Sequence, residues 1–132
     1  MFIDASAIVA ILTREDDADV LADRLEAAPQ PITSTVAVFE AALGICRKRH
    51  ASVAEAEADV REFLETAKVS VVAIDAAEAS AALKAFDRYG KGRGHPAQLN
   101  MGDCFSYACA ATRDAPLLCK GEDFAKTDIQ LA

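Results

Sequence analysis

Short apolar runs alternate along this chain with longer stretches of helical spacing, and that alternation limits the architecture more than any other feature. The runs are MFID at 1–4, ITS at 32–34, VSVVAI at 69–74 and PLLCK at 116–120, with DIQLA at 128–132 as a last short strand. Between them lie ASAIVAILTRE, DDADVLADRLEAA, TVAVFEAALGICRKRH, SVAEAEADVREFLETA, DAAEASAALKAFDRYG and MGDCFSYACAATRD, each carrying apolar residues at helical intervals. Strands that alternate with helices pair in parallel, and a parallel sheet needs helices on both faces. The expected fold is therefore a three-layer α/β/α sandwich around a short parallel sheet. No repeat or linker interrupts the pattern, so residues 1–132 read as one domain.

Local signals set the boundaries. Leu21 and Leu25, with Val20, give the second helix its apolar side, and PQP at 29–31 breaks it. Ser34 or Thr35 caps the next helix, whose basic last turn suits the helix dipole. Ser52 with Glu55, and Asp75 with Glu78, have capping-box spacing. Gly90 ends its helix, and KGRGHPAQLN at 91–100 reads as a loop. VSVVAI is β-branched and reads as a buried strand. GEDFAKT at 121–127 reads as a turn.

Within this frame the acids need an account. Asp4 stands in an apolar opening segment, at the end of the first strand, where open parallel sheets bind ligands. It also reads as a helix N-cap. Glu40 sits in a helix where Val36, Val38, Phe39, Ala41, Ala42 and Leu43 offer it no cation. Asp103 lies near the start of an apolar helix, where it suits the dipole. Glu122 and Asp123 follow the last apolar run. Carboxylates gathered at one sheet edge repel one another unless a cation compensates. Hard oxygen donors without His or Cys select Mg2+ or Mn2+. Such sites serve phosphoryl transfer, holding the scissile phosphate and activating water. The only histidines, His50 and His95, form no nucleophile–base pattern.

In this order and at this length, the motifs resemble the PIN-domain nucleases, and within them the VapC toxins. FIDASAIVAIL, STVAVFEAALGI, LNMGDCFSYACA and LLCKGEDFAKTDI carry the resemblance, which covers nearly the whole chain. It implies that Asp4, Glu40 and Asp103 are the central metal-site acids and Asp123 the fourth, with Glu122 as an adjacent competitor. Ser6 matches the hydroxyl that supports the first aspartate. It further implies cleavage of RNA with Mg2+ or Mn2+, a homodimer, and silencing by a VapB-like antitoxin.

The net charge of −7, from 14 basic and 21 acidic residues, argues against loose binding to nucleic acid and favours a basic protein partner. The positive charge is concentrated. KAFDRYGKGRGH at 84–95 holds Lys84, Arg88, Lys91 and Arg93 against Asp87 alone, with Tyr89 and His95. Arg88, Lys91 and Arg93 are the candidate RNA contacts. RKRH at 47–50 is explained by its helix C-terminus. Cys46, Cys104, Cys109 and Cys119 form no C-x-x-C pair and read as reduced, mostly buried thiols. No segment approaches the ~20 apolar residues of a membrane span, and the N-terminus lacks a signal-peptide pattern. The expected location is the cytoplasm.

Two other readings stay open. One is a PIN fold kept as a partner-binding module with weak catalysis. The other is a phosphoaspartate domain using Asp4 and Lys120, although Ser6 stands where a phosphatase motif wants a second acid.

Overall fold

The computed structural model describes residues 1–132. Four parallel strands form the sheet: β1 (Phe2–Ile3), β2 (Ile32–Ser34), β3 (Ser70–Val72) and β4 (Leu117–Leu118), in the order β3-β2-β1-β4. Phe2 pairs with Ile32 on one side and Leu117 on the other, and Thr33 pairs with Val71. Six helices surround it: α1 (Ala5–Leu12), α2 (Ala18–Glu26), α3 (Thr35–Arg49), α4 (Val53–Thr66), α5 (Ala76–Tyr89) and α6 (Met101–Ala111). Helix α5 packs on α6, which lies against β1, β2 and β4, while α1, α2, α3 and α4 pack among themselves. The result is the expected three-layer sandwich.

The chain runs from β1 outward through β2 to β3, then returns to place β4 on the other flank of β1. This reversal opens a crevice beyond the carboxyl end of β1, the position at which doubly wound sheets bind ligands. Asp4 follows β1 directly, and its N–H donates to Leu118 O at 2.9 Å.

Small side chains let the layers approach. The fully buried core is built from Phe2, Ile3, Ile8, Ile45, Val60, Leu99, Leu117 and Leu118, with alanines between them. Capping holds the helix starts at their expected places. Ser34 accepts from Ala37 N, and complete capping boxes form at Ser52–Glu55 and Asp75–Glu78. Glu78 is buried with Arg113, whose guanidinium donates to it at 2.8 Å and joins α5 to the end of α6. Hydrogen bonds at Asp75, with Arg113 behind them, hold the Glu78 carboxyl down at about 2.

Three expectations need correction. VSVVAI is buried only in part: Val69 joins the core, but β3 is an edge strand and Val71 is 47% exposed. Val20 faces solvent while Leu21 and Leu25 carry the buried side of α2. DIQLA does not form a strand. Only Leu131 bridges Leu117, because Asp128 is drawn away to Tyr107 Oη (2.6 Å) and Arg88 (3.0 Å), and Ile129 N turns to Thr127 Oγ1. The GEDFAKT turn contains one turn of 3-10 helix at Phe124–Lys126. The four cysteines carry free thiols, with Cys104 and Cys109 buried. No helix is long and apolar enough to cross a membrane.

Candidate active site

Asp4 stands at the carboxyl end of β1 and caps the helix that follows. Its backbone is extended at the head of α1, and it caps that helix by accepting from Ser6 N at 2.9 Å. The same oxygen, Oδ2, accepts from Ser6 Oγ at 2.5 Å, and Oδ1 accepts from Ser106 Oγ at 2.6 Å. Two hydroxyls from different helices thus fix a carboxylate that is only 4% exposed. Ser6 Oγ in turn accepts from Lys120 N at 3.0 Å, so the segment after β4 is tied to the same node.

Ser106 is the residue that the sequence reading missed. It lies three positions after Asp103, so both face the same side of α6. That spacing was the available signal, but a serine in an apolar helix reads equally as a small filler.

Glu40 is in the second turn of α3 and half-buried. Burial pushes its carboxyl up to about 7, with the charges of Asp4 and Asp103 adding to the effect and Arg47 opposing it. Asp103 is the third residue of α6 and completes a capping box with Asn100: Asn100 N donates to Asp103 Oδ2 at 3.0 Å, and Asp103 N to Asn100 Oδ1 at 2.9 Å. Burial raises Asp103 to about 6 despite that hydrogen bond, with Asp4 and Asp123 contributing. Burial next to Asp4 and Asp103 raises the Cys119 thiol to about 12.

Gly102 makes room for this arrangement. A Cβ at that position would fall inside the Glu40 carboxylate. The absence of a side chain lets Glu40 of α3 lie against the start of α6 beside Asp103.

Asp4, Ser6, Glu40, Asn100 and Asp103 line a cleft of about 420 Å³, together with Gly44, Arg47, Lys48, Glu15 and Lys120. A larger hollow of about 620 Å³ lies between α2 and α4, around Leu25, Pro31 and Phe63, and holds none of these acids. Asp123 is exposed outside the cleft, 3.6 Å from Lys126, yet its charge reaches Asp103. Glu122 is exposed too, and its charge registers at Cys119. Arg88 and Arg93 are occupied by Asp128 (3.0 Å) and Asp87 (2.6 Å), and neither they nor Lys91 line the cleft.

The donor set fits a hard divalent cation. All the candidate ligands are carboxylate oxygens, and none of Asp4, Glu40 and Asp103 is in an ion pair. The side chains do not by themselves close a ligand shell of three or more. Glu40 and Asp103 repel each other, and a cation is what would draw them in.

This predicts an unusual pH dependence. Glu40 and Asp103 bind protons more tightly folded than unfolded, so their contribution to stability is present at low pH and lost as pH rises. The window runs from 4.5 to about 7 for Glu40 and from 3.8 to about 6 for Asp103. Glu78 and Asp128, held low, work in the opposite direction, but below that window. In EDTA the melting temperature should fall between pH 4.5 and 7, by an amount worth about 1–2 kcal/mol after solvent screening. Saturating Mg2+ should remove the fall. A metal-free protein that gains stability across this window would show that burial and the neighbouring acids do not hold these two carboxyls above their ordinary range.

Comparison with known proteins agrees with this architecture. The PIN domain family model matches residues 1–130. Ribonuclease VapC of Mycolicibacterium smegmatis is 46% identical over 129 residues, covering 98% of this chain and 97% of its own. Ribonuclease VapC42 of Mycobacterium tuberculosis is 39% identical over 132 residues, covering 100% of this chain and 98% of its own. Among solved structures, the sarcin-ricin loop cleaving toxin VapC20 of Mycobacterium tuberculosis superposes with a TM-score of 0.79 at 16% identity, covering 99% of this chain and 97% of its own. A chain of a toxin–antitoxin complex from Klebsiella pneumoniae gives 0.72 at 18% identity, covering 99% and 95%. By family model, by sequence over its whole length and by fold, the chain belongs to the PIN-domain family, among its VapC ribonuclease toxins.

Proposed function

We propose that this protein is the toxin of a toxin–antitoxin pair and hydrolyses RNA phosphodiester bonds endonucleolytically with Mg2+ or Mn2+. The observation that supports the reading is that three carboxylates without ion-pair partners, from β1–α1, α3 and α6, line one cleft at the switch point of the sheet. Asp4, Glu40 and Asp103 would hold the cation, with Asp123 approaching from the rim. A bound divalent ion supplies charge neutralisation at the phosphate and a water of lowered pKa. Ser6 and Ser106 orient Asp4, and the Asn100 capping box orients Asp103. Burial and its acidic neighbours raise Glu40 in the metal-free protein, and a bound cation would offset that repulsion.

The phosphoaspartate alternative is disfavoured by the same geometry. Both Asp4 oxygens already accept hydrogen bonds, and Lys120 Nζ is turned to Glu15 and Asp17.

Partners follow from surface chemistry. The acids of the cleft suit an antitoxin arginine, which binds carboxylates bidentately and supplies the missing positive charge. The exposed apolar residues Leu83, Phe86 and Met101 beside the α5–α6 seam support a homodimer. Arg88, Lys91 and Arg93 are assigned as outer RNA contacts, Lys91 being free of ion pairs.

The test is cleavage of a single-stranded RNA by the purified protein with Mg2+ or Mn2+ and its loss in EDTA. Asp123→Asn should lower the rate more than Glu122→Gln and less than Asp4→Asn. The reverse ranking would move the fourth acid to Glu122. Absence of metal-dependent cleavage, with the antitoxin still bound, would leave a partner-binding module.

A further inference from the structure

The cleft that holds the acids also carries three cations. Glu40, Gly44 and Arg47 lie at i, i+4 and i+7 on one face of α3, so Arg47 stands about 10 Å along the helix axis from Glu40. Gly44 between them lets Val9 of α1 pack directly against α3. Lys48 and Lys120 are the other two cations, one from α3 and one from the segment after β4.

Both lysines reach the same acid. Lys48 Nζ and Lys120 Nζ each form an ion pair with Glu15, and Lys120 is also 3.1 Å from Asp17. The Glu15 side chain is 19% exposed against 47% for Lys48 and 36% for Lys120, so the acid is the more deeply set of the three. The backbone of Lys120 is fixed as well, through its N–H to Ser6 Oγ. Neither lysine forms an ion pair with Asp4, Glu40 or Asp103. Their charge is therefore not spent on those three acids. An ammonium has three donors, and each lysine keeps at least one unused.

We propose that Arg47, Lys48 and Lys120 form a phosphate-gripping ledge for single-stranded RNA next to the scissile bond, and that Glu15 positions its two lysines. This rests on RNA being the substrate. It assigns the nearer backbone contacts to the cleft itself, inside the reach of the 88–93 segment. A strand laid along the groove would place one phosphate among the acids with their cation and a neighbouring phosphate on the ledge. The arrangement holds the backbone in register with the cation site and carries no base readout.

The experiment uses an Asp103→Asn background to prevent cutting and measures binding of a single-stranded RNA oligonucleotide across a salt series with Mg2+. Arg47→Met, Lys48→Met and Lys120→Met should each weaken binding and reduce the slope of log K against log salt by about 0.7. In the otherwise wild-type enzyme Lys48→Met and Lys120→Met should raise KM more than they lower kcat, the mark of lost uniform binding, whereas Arg47→Met, which also removes a charge acting on Glu40, should change both. Glu15→Gln discriminates best. As a positioning residue its loss should weaken RNA binding, although it removes a negative charge. Tighter binding by Glu15→Gln would overturn the positioning role. Unchanged slopes and KM in all three cation variants, in a protein that still cuts RNA, would overturn the ledge alone. Slope changes in a protein that binds but never cuts would support the ledge and overturn the nuclease reading. Melting temperatures near wild type check that each variant folds.

Discussion

Glu40→Gln, Asp103→Asn and Asp4→Asn should each reduce RNA cleavage by about three orders of magnitude, because each removes several kcal/mol of interaction with the cation. The same substitutions should not weaken the metal-free protein uniformly. Glu40 is half-buried, faces two other acids and is raised to about 7. Replacing it with the neutral isostere removes that repulsion, so Glu40→Gln should raise the melting temperature in EDTA at pH 7.5. Asp103→Asn should do the same less strongly, since Asp103 also accepts the Asn100 N–H that closes its capping box. Asp4→Asn should gain least, because Ser6 N, Ser6 Oγ and Ser106 Oγ all donate to the carboxylate it loses. Activity assays with Mg2+ or Mn2+, together with thermal melts in EDTA and in excess metal, read both effects. Wild-type-like cleavage by any of the three variants would remove that residue from the site.

The second large effect is expected at a residue with no chemistry of its own. Gly102→Ala places a methyl group where the Glu40 carboxylate now lies. The backbone at Gly102 is helical, so alanine is tolerated there, and it is the better helix former by up to about 1 kcal/mol. The obstacle is the end of a flexible side chain, which can swing out of the cleft. The fold should therefore persist with an unchanged or higher melting temperature, while Glu40 is driven from its place beside Asp103. A displacement of about 1 Å at a reacting centre costs roughly a hundredfold, and kcat should fall by at least that much. The residual metal affinity of Gly102→Ala should resemble that of Glu40→Gln. Full activity in Gly102→Ala would show that Glu40 works from a different rotamer and does not need the gap. A protein that fails to fold would show that α3 and α6 cannot separate to admit the methyl.

Both predictions concern residues whose roles were legible to different degrees in the sequence. Asp4, Glu40 and Asp103 could be picked out because each is an acid in an apolar setting at a strand end or helix start. Gly102 precedes Asp103 and reads alone as a weak helix residue. Its meaning depends on α3, 62 residues earlier in the chain, lying close enough for Glu40 to fill its space.

What the sequence determined by itself is what short-range physics controls. Hydrophobic period separated strands from helices, capping residues placed the starts of α3, α4 and α5, and the alternation of elements dictated a parallel sheet with two helical layers. The tertiary structure decided the rest. Strand order made β3 an edge and left Val71 exposed, which no local pattern announces. Asp128 joined Tyr107 and Arg88 and so cut the last strand to a single bridge. Ser106 met Asp4 across 102 positions, and Lys120 met Glu15 across 105. These contacts arise where the carboxyl ends of non-adjacent elements converge. That convergence follows from the order in which the strands lie in the sheet, and the spacing of residues along the chain does not encode it.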